Sequence, residues 1–93
     1  MISLDSILYQ NPNVVSRVVE NEAVLIIPEQ GEVKVLNEVG SRIWELVDGK
    51  RSIQDISSLI CQEFDVDQGT AEHDTLKFIS DIFDKGIIKI SPE

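Results

Sequence analysis

Between Val14 and Leu36 the chain sets short apolar runs between polar breaks, at a spacing that suits β-strands. Val14-Val15-Ser16-Arg17-Val18-Val19 is rich in β-branched residues, and Ala23-Val24-Leu25-Ile26-Ile27 is a near-continuous apolar run, with polar Glu20-Asn21-Glu22 between them. Pro28 has no N–H to give to a ladder, so it ends the second strand or sits on its edge. Glu29-Gln30-Gly31 supplies the next turn. Glu32-Val33-Lys34-Val35-Leu36 alternates polar and apolar residues over its first four positions, as a strand with one solvated face does. These runs predict a three-stranded antiparallel meander.

The period changes at Asn37. Asn is a good N-cap, and Val39, Ile43, Trp44, Leu46 and Val47 then fall on one helical face, closed by Asp48-Gly49. Ser52 caps a second helix, with Asp55 as an acidic variant of a capping box, and Ile53, Ile56, Leu59, Ile60 and Phe64 repeat at helical spacing. After a break at Asp65-Val66-Asp67, a third helix is expected from Gln68 to Asp84, with Ala71, Thr75, Phe78, Ile79 and Ile82 on its buried stripe. Lys85-Gly86 ends it, and Ile87-Ile88-Lys89-Ile90 reads as a short last strand.

Residues 1–13 read as a lead-in of open order. Ser3 to Tyr9 suits a single helical turn, and Asn11-Pro12-Asn13 suits a turn. The element order is then β-β-β-α-α-α-β: an α+β fold resembling a winged helix-turn-helix, with an N-terminal three-stranded sheet, three helices and a C-terminal strand. Length supports one domain over residues 14–90.

Charge narrows the function classes. The chain of 93 residues carries 17 acids against 8 bases, a net charge of −9. Each third is acidic, so no basic stripe survives to neutralise phosphates or anionic lipid. No apolar run approaches the roughly 18 residues that cross a bilayer. The N-terminus shows no basic region followed by a long apolar one, so a cytoplasmic protein is expected.

Candidate chemistry is sparse. His73, the single histidine, stands off the apolar stripe beside Glu72 and Asp74, and reads as a surface residue rather than a catalyst. Cys61 is alone, without a disulfide or zinc partner and without basic neighbours. Asp65-x-Asp67 and Glu72-x-Asp74 do not reproduce a calcium loop and read as solvated acids. Trp44 reads as core. No catalytic set, metal site or cofactor is expected, and the chain is not read as an enzyme.

Two features are open to a functional reading. The strand Glu32–Leu36 either protects a sheet edge with Glu32 and Lys34 or offers that edge for docking. Leu76 and Phe83, two helical turns apart with small Ser80 between them, either widen the buried stripe of the third helix or line a shallow groove for a peptide side chain.

Leu36-Asn37-x-x-Gly40, Ile43-Trp44, Asp48-Gly49, Ser52-Ile53, Phe78-Ile79 and Gly86-Ile87-Ile88 stand in an ordered set over nearly the whole chain. On these residues the chain resembles the PqqD family, named for coenzyme pyrroloquinoline quinone synthesis protein D. The resemblance implies a peptide-binding module that serves ribosomally made, modified-peptide pathways. In such modules the leader of a precursor peptide adds a strand to the third strand of the sheet, beside the third helix. The implied partner is a modifying enzyme, often a radical S-adenosylmethionine (SAM) enzyme. Carried over by position, the docking strand is Glu32, Val33, Lys34, Val35 and Leu36, and the facing helix side is Leu76, Lys77, Ser80 and Phe83. Asn37 and Gly40 take structural roles, capping the first helix and allowing close packing. A free edge or an exchanged N-terminal hairpin would allow a homodimer. The rival reading is a winged-helix nucleic-acid regulator, whose third helix would bring Glu72, Asp74, Asp81 and Asp84 against the phosphates.

Overall fold

Glu20 and Asn21 both adopt positive φ, 51° and 69°. They form the two-residue turn that joins β2 (Val15–Val19) to β3 (Glu22–Ile27), with Val19 paired to Glu22. A left-handed pair at this place matches the right-handed twist of the flanking strands. The chain turns again through Pro28 to Gly31, where Gly31 takes φ 64°, and returns as β4 (Glu32–Val35). The sheet order is β2-β3-β4, antiparallel throughout, as the meander predicts. These features come from a computed structural model that describes residues 2–91.

Alternation gives this sheet two different faces. Ala23, Leu25 and Ile27 of β3 are buried and face the helices. The other face carries Val15, Val24, Ile26, Val33 and Val35, of which all but Val24 are exposed.

α1 (Glu38–Leu46) starts at Asn37, whose side chain accepts from the Gly40 N–H at 2.8 Å. α2 (Ile53–Phe64) starts at Ser52 with both halves of the capping box formed to Asp55. α3 (Gln68–Asp84) starts at Asp67, which accepts from the Thr70 N–H at 2.8 Å. Ile43, Trp44 and Leu46 of α1, Ile53, Ile56 and Ile60 of α2, and Ala71, Ile79 and Ile82 of α3 close the core over β3. Ser41 ties the layers together: its hydroxyl accepts from the Ala23 N–H at 2.7 Å and reaches the Leu36 carbonyl at 3.3 Å.

A second sheet corrects two sequence expectations. Residues Ile7–Gln10, inside the stretch expected as a helical turn, form strand β1, and Leu8 is fully buried. Asp48-Gly49, expected to close the first helix into a loop, instead opens strand β5 (Asp48–Ser52) after Val47 caps α1. With β6 (Ile88–Ile90) they make an antiparallel sheet of order β5-β1-β6. Neither strand shows in the periodicity. β1 buries one residue deeply, and β5 is the polar run Asp-Gly-Lys-Arg-Ser, held by its partner strand and by Asp48 Oδ1, which accepts from the Lys50 and Arg51 N–H groups. The Asn11–Asn13 turn does form, closed by the Val14 N–H to the Asn11 carbonyl at 3.0 Å.

Candidate functional site

β4 is an edge strand: β3 pairs with one side of it, and no strand pairs with the other among the described residues. The register shows which backbone groups stand free. The Leu36 N–H donates to the Ala23 carbonyl at 2.8 Å, and Lys34 and Glu32 follow in step opposite Leu25 and Ile27. In an antiparallel ladder, successive residues aim their N–H and C=O groups to opposite sides. Glu32, Lys34 and Leu36 therefore spend theirs on β3, while Val33 and Val35 aim theirs outward. The edge offers four backbone groups from two residues. Their side chains are 66% and 63% exposed, and they extend the apolar outer face of the sheet.

Two contacts lay β4 alongside α3. The Gln30 side chain, in the turn before β4, donates to the Lys85 carbonyl at the C-terminal cap of α3, at 2.6 Å. Beyond the other end of β4, Gly40 of α1 lies against Phe78 of α3, where a Cβ would stand 3.2 Å from the ring. The strand thus runs antiparallel to the second half of α3.

A groove of about 390 Å³ opens where these elements meet, beginning at Asn37, two residues past β4. Its floor is Val39, Ile43 and Phe78, and its rim is Asp74, Lys77 and Asp81. Asp74, Lys77, Phe78 and Asp81 share one side of α3 because they are spaced three and four apart. None of the three rim charges forms an ion pair among the described residues.

The nine residues expected at a site divide into two groups. Glu32, Val33, Lys34 and Val35 make the edge strand, with Leu36 buried just past it. Of the helix residues, Lys77 lines the groove. Leu76, Ser80 and Phe83 are not among its lining residues. Leu76 stands one turn after Glu72, which accepts from Gln54 of α2 at 2.9 Å, and both Leu76 and Phe83 are half-buried against the core. Phe78, which does line the groove, is packed against the core to the same partial degree. The groove also takes in Phe78, Asp74 and Asp81, which helical spacing does not single out. Phe78 falls on the apolar stripe, and only the packing shows that it is half-exposed at the stripe's margin.

Other candidate chemistry has structural uses. Asp65 holds the left-handed C-cap of α2, and Asp67 caps α3. The Thr70 backbone and hydroxyl hold the Asp67 carboxyl below its usual range, and the Gln54 and Gln68 amides do the same for Glu72. Cys61 is half-buried with its thiol 2.9 Å from the Val66 carbonyl, and His73 is exposed. No cluster of three or more potential metal ligands occurs among the described residues.

Residues 22–88 match the family model described as coenzyme PQQ synthesis protein D, a span from the start of β3 to the start of β6. The chain belongs to the PqqD family. Comparison with curated protein sequences gave no match. Among solved structures, TbiB1 in complex with the TbiA(beta) leader peptide is similar with 32% identity and a TM-score of 0.79, covering 87% of this chain and 94% of that one. Lasso peptide synthetase B1 complexed with its leader peptide shares the fold at 19% identity and a TM-score of 0.80, covering 90% and 99%. So does the PqqD part of Methylobacterium extorquens PqqCD, a stand-alone recognition element for ribosomally synthesised, modified peptides, at 24% identity and a TM-score of 0.78, covering 96% and 95%.

Proposed function

We propose that this PqqD-family protein is a non-catalytic adaptor. It captures the leader of a ribosomally made precursor peptide as an added strand on β4, with side chains reaching the α1–α3 groove, and presents the peptide to a modifying enzyme. The observation that carries this reading is the pair Val33 and Val35, whose backbone groups stand free beside an apolar groove. The two leader-bound structures of this fold support it.

Magnitudes explain why edge and groove act together. Four backbone hydrogen bonds contribute about 0.5–1.5 kcal/mol each. Association costs roughly 4–15 kcal/mol. Strand pairing alone therefore hardly binds, and apolar side chains buried at about 1.5–3 kcal/mol each supply the difference. The edge sets direction and register, while the groove supplies affinity. Against the nucleic-acid reading stand Asp74 and Asp81 on the open side of α3, where phosphates would have to approach.

The modifying enzyme in this reading is a radical SAM enzyme or another peptide-modifying enzyme, as the family resemblance implies. A homodimer has a route that spares β4, because β2 is the other edge of the same sheet. No helix among the described residues is long and apolar enough to cross a membrane. We place the protein in the cytoplasm, where precursor peptides are made.

The test is a proton–nitrogen NMR titration of the labelled protein with a synthetic leader from a neighbouring reading frame, followed by amide exchange. Free protein should exchange rapidly at Val33 and Val35 and slowly at Lys34 and Leu36. Bound leader should slow Val33 and Val35. Saturable binding that leaves both amides in fast exchange would rule out strand addition at β4.

A further inference from the structure

The free edge determines which way each side chain of an added strand must point. Residues that bond directly to Val33 and Val35 place their side chains on the same face as those valines, over the apolar outer sheet. The residues between and beside them point to the opposite face, toward α3. What they meet there is uneven in charge. Phe78 forms the apolar floor, Asp74 and Asp81 flank it one turn to either side, and Lys77 stands between the two acids. Glu32 and Lys34 of β4 point to the same face, so the acids there outnumber the bases by three to two, and none of the five is in an ion pair among the described residues. The wider protein adds a field of the same sign, at net −9.

From this we infer that the groove selects a basic leader segment, in which the residues facing α3 place an apolar side chain on Phe78 and a neighbouring lysine or arginine against Asp74 and Asp81. The inference rests on the strand-addition reading and adds to it a chemical class of peptide. A lysine or arginine suits the site because its aliphatic stem covers apolar floor while its charged head reaches the rim. An acidic leader would meet two carboxylates and the field of the whole chain. Complementary charge of this kind acts chiefly on the association rate and on the choice of partner.

The experiment is selection of a random peptide display library on the full chain. Enriched sequences are then synthesised and measured at low and high salt. The expected result is enrichment of lysine and arginine beside an apolar residue, with acids depleted. The double variant Asp74→Asn/Asp81→Asn should weaken these peptides by about threefold to tenfold at low salt, an effect that shrinks as salt rises. Lys77→Gln should strengthen them. All three positions are exposed, and a circular dichroism melt checks that the fold is kept. Peptides that slow exchange at Val33 and Val35 but show no charge bias, or do not respond to the aspartate variants, would overturn the charge selection and leave strand addition standing. A selection that yields no peptide protecting those two amides would instead remove the strand-addition reading beneath it.

Discussion

Gly40 on α1 and Phe78 on α3 pack so closely that a Cβ on the glycine would stand 3.2 Å from the ring's Cε1 and 3.3 Å from its Cζ. The same Cβ would come within 3.2 Å of Asn37 Oδ1, the atom that caps α1. Alanine in place of a helical glycine ordinarily gains about 0.5–1 kcal/mol in helix formation. Here that gain is opposed by crowding of the ring and the cap. Gly40→Ala should therefore be neutral or destabilising with Phe78 present, and less unfavourable in a Phe78→Ala background, where only the crowding of the cap remains. Denaturant midpoints for the four proteins of this cycle measure the coupling, which should reach about 1 kcal/mol. Equal effects of Gly40→Ala in both backgrounds would show that the two residues do not press on one another.

The ladder of β3 and β4 yields a sharper test of the edge, using the one residue that lacks an N–H. Proline at Val33 or Val35 removes a donor that faces outward and leaves the bonds to β3 intact, since prolines are accepted on the open side of edge strands. Proline at Lys34 removes a donor used by β3. Val35→Pro should thus weaken leader binding by about threefold to tenfold, the worth of one bond of about 0.5–1.5 kcal/mol, with only a modest fall in thermal midpoint, while Lys34→Pro should unfold the strand. Calorimetric titration and melting curves on the two variants separate these outcomes. Undiminished binding by Val35→Pro would mean that the peptide docks elsewhere.

Much of this arrangement is legible in the residues. Asn37, Ser52 and the Glu32–Val35 alternation announce two helix starts and a strand because each leaves a local chemical mark: a short polar side chain for orphan N–H groups, or a period of two. β1 and β5 leave none. A four-residue strand with one deeply buried side chain and a polar strand of Asp-Gly-Lys-Arg-Ser exist because they pair with each other, and pairing between residues some forty positions apart has no local signature. The groove is illegible for a related reason. Helical spacing puts Leu76, Ser80 and Phe83 on one line and Asp74, Phe78 and Asp81 on another, but only the placement of α1 and α2 shows which line faces an open groove.

That distinction predicts different binding phenotypes for residues on the same helix. Leu76 and Phe83 are packed against the core, so Leu76→Ala and Phe83→Ala should each cost about 1–3 kcal/mol of folding stability, fewer than fully buried sites lose. The protein that remains folded should bind leader with unchanged affinity. Phe78 also packs partly against the core, so Phe78→Ala should cost comparable stability but should in addition weaken binding by tenfold or more, as expected for about 1.5 kcal/mol or more of lost apolar contact. Urea titrations and binding isotherms on the three variants check this. A loss of affinity confined to Leu76→Ala and Phe83→Ala would move the groove to the other side of α3.

Acid should destabilise the protein through a few identifiable carboxylates. Arg42 donates to both oxygens of Glu63, at 2.8 and 3.0 Å, and these bonds hold the Glu63 carboxyl below its usual range. Glu72 is lowered by the Gln54 and Gln68 amides, and Asp67 by the Thr70 backbone and hydroxyl. A carboxylate depressed in the folded state contributes stability that is fully present above its unfolded pKa, and that contribution is lost as pH falls through the folded value. The window therefore lies below about pH 4, the ordinary carboxylate range. From neutrality down to about pH 5 the opposite influence prevails, because protonation begins to relieve the repulsion of a chain at net −9. Stability should hold or rise slightly over that range and then fall steeply. Glu63→Gln isolates one contributor: the Arg42–Glu63 pair is one-third exposed on each side chain, so it is worth less than about 1 kcal/mol. The variant should be slightly less stable than the parent at pH 7, and the gap should close as pH falls below the ordinary carboxylate range. Urea midpoints measured across this range decide the matter, and a constant gap between the two curves would show that Glu63 carries none of the acid transition.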